Sequence, residues 1–358
     1  MSDTIKRIRE NQEAKERGII RCIPLPNPRL KSVFPGVIRG EPVTLSGNTS
    51  SGKTTLTKAW FVYGPIEYAI KNNLDLKILY FGLEESKRQF EYGLLSYLLF
   101  KEHKIRLNIR EFDAMGGELT PRELSLIEEI QPLFEKWKSY ILWYDSFFTP
   151  KSILSTVMRF AYNEGKFFKD GTLVLDDELR VGEDGSWDTY VPDDPKKFRI
   201  VIVDHLRKLR PPSSKTTKHE AMQEWSDYNQ QIISYKFDYA GIIVQQQSAE
   251  ADNFDHVKHG AWMPKLETLG GNREVGQDAR TIIGIGNPAR YRVKKFEGYD
   301  IEEFEGFIRF AEVLKQTYGP TNKLIPLFFD GKTGMIDVMP RPDDKTSLDI
   351  VLKYIQGL

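Results

Sequence analysis

The sequence predicts an α/β fold with a mainly parallel sheet, and three observations carry that prediction. From Pro42 onward, apolar runs of strand length alternate with amphipathic stretches of helix length. A glycine-rich loop, "GNTSSGKTT" from Gly47 to Thr55, lies between the apolar run "PVTLS" and the helix-like "LTKAWFVY". Near the end, two apolar runs flank Asp330-Gly331-Lys332, which reads as an antiparallel hairpin closing the sheet.

Bulk properties fit one large domain or one domain with additions. A chain of 358 residues with 40% hydrophobic and 12% aromatic content can bury a sizeable core and is not disordered. Lys plus Arg and Asp plus Glu are both 51, so any contact with a polyanion must come from local clusters. The single Cys22 cannot form an internal disulfide, and neither a signal peptide nor a run of about 18 apolar residues is present. These features place the chain in the cytosol of a cell or of an infected host, with no membrane partner.

Taken in order, "MSDTIKRIRENQEAKERG" is charged and helix-prone, and "IPLPNPRLKSVFPG" carries prolines that stop a helix. Residues 1–33 therefore read as a helical arm with an extended linker, ahead of one large α/β domain over 34–358. The expected strands are "PVTLS", "KILYFGL", "YILWY", "RIVIVD", "AGIIVQQQ", "TIIGIG" and "IRFAEVLKQ", with helices in "EESKRQFEYGLLSYLLF" and "MQEWSDYNQQIISYKF". The turn-rich, acidic stretch at 165–198 interrupts this alternation and reads as a solvated β-hairpin insertion. It lacks the alternating Asp/Asn residues of a calcium loop.

The glycine-rich loop matches G-x-x-x-x-G-K-[ST] at Gly47, Gly52, Lys53 and Thr54. The backbone of Asn48, Thr49, Ser50, Ser51 and Thr55, together with the two glycines, would cradle the phosphates of ATP. Lys53 would neutralise the β and γ phosphates, and the Thr54 hydroxyl would hold Mg²⁺. Asp204 ends the apolar run "RIVIVD" and is the candidate magnesium-side carboxylate, because ligands collect at the C-terminal ends of parallel strands. Glu84 ends "ILYFGLE" and could accept a proton from water, with Glu85 beside it as the alternative.

The order of these motifs, from about Ile23 to Val338, resembles the ATPase domain of DnaB-type replicative helicases, which are RecA-like and assemble as hexameric rings. "ILYFGLEES" resembles the family strand ending in Ser-Leu-Glu-Met, which implies that Glu84 is the catalytic glutamate. "RIVIVDHLRKL" resembles its Walker B strand, with the aspartate at Asp204. "AGIIVQQQSAE" resembles the strand ending in Ser-Gln, which puts the γ-phosphate sensor on Gln247, or on Gln246 after a one-residue slip. "LGGNREVGQDARTIIGI" is similar to part of the DNA-facing loop and the strand after it. "VLKQTYGPTNK" resembles Lys-Gln-Arg-Asn-Gly-Pro-Thr-Gly, whose Lys and Arg reach a neighbour's ATP.

That last match departs from the pattern, since Lys315 is kept but Thr317 stands where the family has its finger arginine. Loss of such a finger costs about 10³ to 10⁵ in rate, so Lys315 in trans, or another basic residue such as Lys323, is expected to take the role. For single-stranded DNA, "HLRKLRPPSSKTTKH" offers Arg207, Lys208, Arg210, Lys215 and Lys218 with no acidic residue between them. A second loop offers Lys258, Lys265, Gly271, Asn272 and Arg273, and Trp262 for stacking on a base.

The resemblance implies an ATP-driven, ring-forming DNA helicase or translocase acting in replication, with a primase or helicase loader as possible partners. The short stretch ahead of Gly47 points to a phage or mobile-element form in which the arm joins subunits. Thr317 favours a different class, a RecA-like filament or regulatory ATPase that uses nucleotide as an assembly switch. A small-molecule kinase is disfavoured for want of a lid or phosphoacceptor signature. No zinc-type Cys/His spacing or G-x-S-x-G elbow appears, and the five histidines, His205 among them, read as loop or surface residues.

Overall fold

The computed structural model of the chain describes residues 3–115, 117–146, 148–175, 186–248, 262–269, 279–304 and 306–357. Its centre is a nine-stranded sheet. In chain order the strands of the structure are β1 (Cys22–Pro24), β2 (Gly36–Ile38), β3 (Pro42–Gly47), β4 (Leu76–Gly82), β5 (Ile141–Tyr144), β6 (Gly165–Lys169), β7 (Thr172–Val174), β8 (Thr189–Pro192), β9 (Phe198–Asp204), β10 (Ala240–Gln246), β11 (Thr281–Gly286), β12 (Lys295–Phe296), β13 (Tyr299–Asp300), β14 (Ile308–Lys315), β15 (Lys323–Asp330) and β16 (Met335–Val338). The main sheet runs β16-β15-β14-β11-β3-β10-β9-β4-β5. All seven expected strands form, and the six from β11 to β5 pair in parallel.

Antiparallel pairing begins earlier than the terminal hairpin, because β14 already runs against β11 and β15 against β14. The hairpin around Asp330 then adds β16 at the edge. This order puts β3 near the middle, flanked by β10 and β11, so the loop that follows Gly47 leaves the sheet from a fully buried strand.

The period-2 geometry of strands sorts the core into two layers. On β4 and β9, Ile78, Tyr80, Ile200 and Ile202 point into one cluster, with Leu45, Leu56, Phe61 and Leu94. The intervening Leu79, Phe81, Val201 and Val203 point into the other, with Val157, Trp225 and Ile233. Strands covered on both faces must be apolar at every position, which is why these segments read as continuous runs. The flanking helices start at capping boxes: Ser86 with Gln89 for Lys87–His103, Thr120 with Glu123 for Pro121–Lys138, and Thr217 with Glu220 for Lys218–Tyr228.

Two segments differ from the sequence expectation. The proline-rich stretch is not an extended linker: β1 pairs with β2, and Ile23, Leu25, Leu30 and Phe34 are buried in the main core. Its apolar residues, spaced between prolines, are what pull it in. The insertion is a three-stranded sheet, β7-β6-β8, not a lone hairpin. Its inner face, Phe167, Val174 and Tyr190, packs with Trp187 on Phe237, so alternation here marks a half-buried sheet. Among the described residues no helix is long and apolar enough to cross a membrane.

Candidate active site

The loop between β3 and the helix Lys53–Lys58 is shaped by two glycines that admit no side chain. A Cβ on Gly47 would lie 2.5 Å from Ser51 Oγ and 2.6 Å from Ile285 O. Gly52 has φ of 98°, and its Cβ would lie 2.5 Å from the Phe329 ring. At the loop apex Ser50 adopts φ of 60°, a left-handed conformation uncommon for a side chain-bearing residue and frequent at ligand sites. Asn48 Oδ1 and Ser51 Oγ are buried without hydrogen-bond partners. Lys53 is buried, and its Nζ donates to Asn48 O at 2.8 Å, folding the ammonium back over the loop.

Asp204 ends β9 and pairs in register with Gly82 and Val244, which brings it to the same sheet edge as the loop. Tyr80 OH donates to its Oδ2 at 2.8 Å, while Oδ1 is buried without a partner. Burial pushes this carboxyl up to about 6, against the opposing pull of Tyr80, Thr54 and Lys58. A buried carboxylate with one unpartnered oxygen, close to the Thr54 hydroxyl, suits a hard, oxygen-ligated cation such as Mg²⁺. Among the described residues no group of three or more His, Cys, Asp or Glu could hold a metal alone. A cation here would therefore take its other ligands from phosphate and water.

The two glutamates after β4 go separate ways. Glu85 is gripped by Lys58, with Nζ 2.8 Å from Oε1 and 2.7 Å from Oε2. Together with Thr54, Thr55, Asn108 and Lys332, this pair lines a cavity of about 350 Å³. Glu84 is exposed, with Lys208 Nζ 3.7 Å from its Oε1. On the glutamines, Gln247 is buried and donates to Ser46 Oγ at 2.8 Å, whereas Gln246 Nε2 donates to Thr49 Oγ1 at the loop apex. Side chains alternate along a strand, so a slip of one residue exchanges these roles.

Lys315 ends β14 and lies level with Ile282 at the start of β11. Ile282 is in turn level with Thr44, three residues before Gly47, so Lys315 sits two strands over and about 10 Å down the sheet from its own loop. Thr317 is exposed beyond it.

Leu206 and Leu209 are buried and anchor the loop after β9, leaving Arg207, Lys208, Arg210, Lys215 and Lys218 exposed. Lys258, Gly271, Asn272 and Arg273 lie outside the described residues. Trp262, expected to face a base, is 2% exposed and packs edge-on against Phe296 and Phe310. An aromatic in a turn-rich stretch is as readily a core anchor as a stacking platform.

The sequence reading missed three features. His205 is no surface residue: it is buried, its Nδ1 accepts from Arg207 N at 3.3 Å, and burial and then Lys53 push its imidazolium down to about 3. Lys58 holds Glu85. The segment after β11 grips the glycine-rich loop: Asn287 Nδ2 donates to Ser50 O at 3.3 Å, Tyr291 OH accepts from Asn48 Nδ2, and Arg290 Nη1 donates to Thr49 O. Its place at the C-terminal end of a strand beside β3 was the available signal.

No family model and no curated protein sequence matches the chain. Solved structures do. The ATPase domain of G40P matches with a TM-score of 0.66 at 16% identity, over 94% of this chain and 98% of that one. A DnaB-like replicative helicase, described with its interactions with primase, matches with the same TM-score and identity over 94% of this chain and 68% of its own. The chain shares the α/β, RecA-like fold of these two structures.

Proposed function

We propose that the protein is an ATP-driven DNA helicase or translocase that works on single-stranded DNA in replication as a ring of identical subunits. The observation that carries this reading is the meeting of Lys53, Thr54 and the orphaned Asp204 oxygen at one sheet edge, level with the end of β4 that Glu84 follows, on the fold of replicative helicase ATPase domains. The nucleotide's phosphates occupy the loop Gly47–Thr55, with Lys53 turning from Asn48 O to the β and γ oxygens. When bound, Mg²⁺ on Thr54 and Asp204 would offset charge on the β and γ phosphates.

In hydrolysis a water oxygen bonds to the γ-phosphorus while the bond to the β–γ bridging oxygen breaks, its electron pair leaving with ADP. Glu84 takes the water's proton, and a glutamine of the β10 end, Gln246 or Gln247, reads the γ-phosphate. Lys315 is too far from its own loop and serves a neighbouring subunit's nucleotide. Arg207, Lys208, Arg210, Lys215 and Lys218 hold the DNA backbone without reading sequence, joined by Lys258, Gly271, Asn272 and Arg273. The arm packs on the next subunit. A primase or loader is the expected partner, and a phage or mobile element in its host's cytoplasm the expected setting.

ATP turnover with and without single-stranded DNA, strand displacement on a forked duplex, and mass in solution test the reading together. DNA-stimulated turnover with unwinding by an oligomer supports it; turnover with strand exchange or binding alone rejects it. The exposed Thr317 in the finger position favours that second reading, a RecA-like filament or regulatory ATPase.

A further inference from the structure

Thr49, at the apex of the phosphate loop, is held from both sides. Gln246 of β10 donates to its hydroxyl, and Arg290, beyond the end of β11, donates to its carbonyl. Arg290 does not act alone, since Asn287 and Tyr291 of the same segment bind Ser50 and Asn48. Three residues of one short segment thus meet three successive residues of the loop that would wrap a triphosphate. Ile285 pairs with Gly47 across β11 and β3, so this placement follows from the sheet and not from a chance excursion of a loop.

We infer that Arg290 is a catalytic arginine acting in cis, supplying to its own subunit's γ-phosphate the guanidinium that Thr317 cannot supply to a neighbour's. This rests on the ATP hydrolysis proposed above. The Thr49 carbonyl is a neutral acceptor, whereas phosphate oxygens are anionic and match the planar fork of a guanidinium, so nucleotide entry draws the side chain across. Arg290 is exposed, with its guanidinium 5.7 Å from the Tyr291 ring centroid. As the bond to the β–γ bridging oxygen breaks, its N–H groups donate to that oxygen and to the equatorial γ oxygens, stabilising charge that grows only in the transition state. A threonine and a distant Lys315 ammonium cannot do this within one subunit.

The test uses the full chain with Mg-ATP and a single-stranded oligonucleotide. Arg290→Ala is expected to lower kcat by about 10³-fold or more while leaving KM for ATP within about threefold. Arg290→Lys recovers only part of the rate, because an ammonium lacks the fork. A fluorescent ADP should still bind Arg290→Ala but no longer be trapped by aluminium fluoride. Mixing Arg290→Ala with Lys53→Ala subunits separates cis from trans action. In cis, no subunit has a complete site and the mixture stays inactive; restored turnover places Arg290 in trans and overturns the inference. It is equally overturned if Arg290→Ala turns over ATP within about threefold of wild type, or if only KM changes. Failure of the parent reading looks different: wild-type protein itself then shows no ATP turnover, and both ideas fall.

Discussion

Lys208 Nζ stands 3.7 Å from Glu84 Oε1, so the carboxylate proposed to take the water's proton is tethered to the loop proposed to hold DNA. Both side chains are about half exposed, at 54% and 49%, and an exposed pair of this kind is worth at most about 1 kcal/mol. Phosphates of DNA would compete for Lys208 and release Glu84. Lys208→Ala should therefore raise DNA-independent ATP turnover by no more than about fivefold and lower the stimulation by DNA. Unchanged basal turnover with full stimulation would show that the ion pair carries no coupling.

The two glutamines should separate by assay. Gln246 donates to the loop apex, so Gln246→Ala is expected to lower kcat by about 10² with little change in stability. Gln247 is buried against Ser46, so Gln247→Ala should cost about 1–3 kcal/mol in a denaturant titration. The reverse pattern would return the sensor role to Gln247.

Gly52→Ala combines a φ of 98° with a contact at 2.5 Å to the Phe329 ring. The strain is on the order of 1–3 kcal/mol, and the loop must distort to relieve it. Fluorescent-nucleotide titration should show binding lost before the fold is; native affinity would mean that the ring moves aside.

Arg106 forks onto Asp330 at 2.8 and 2.9 Å, with Tyr354 OH adding a third donor at 3.1 Å. Burial pushes the Asp330 carboxyl up, but Arg106, the Lys332 N–H and Tyr354 outweigh it and hold it below its ordinary 3.8. A depressed carboxylate contributes its stability above the unfolded value and loses it as pH falls through the folded one, so this part of the stability is full above about pH 4 and fades below. Arg106→Ala leaves a buried charge unpaired and should cost about 3–5 kcal/mol near neutral pH, with the deficit shrinking in acid. A pH-independent deficit in thermal unfolding would point to packing alone.

The arm helix Asp3–Glu16 leaves Ile5 and Ile8, one turn apart, 47% and 55% exposed. Removing residues 1–18 should lower the mass seen by light scattering while preserving the far-UV spectrum. An oligomer of unchanged size would exclude the arm as a subunit joint.

The sequence by itself determined the strands, since a segment buried on both faces must be apolar throughout, and "RIVIVD" or "TIIGIG" could be little else. It marked out the glycine-rich loop too, because Gly47, Gly52, Lys53 and Thr54 need only local spacing. Only the tertiary structure decided matters that depend on which strand lies beside which. Sheet order put Arg290 on Thr49, about 240 residues away, and put Lys315 out of reach of its own loop. One-residue phase turned Gln246 to the apex and Gln247 inward, and packing took Trp262 and His205 out of solvent. Spacing along a chain encodes period and turn, but nonlocal pairing is set by the summed burial of the whole core, which no short stretch contains.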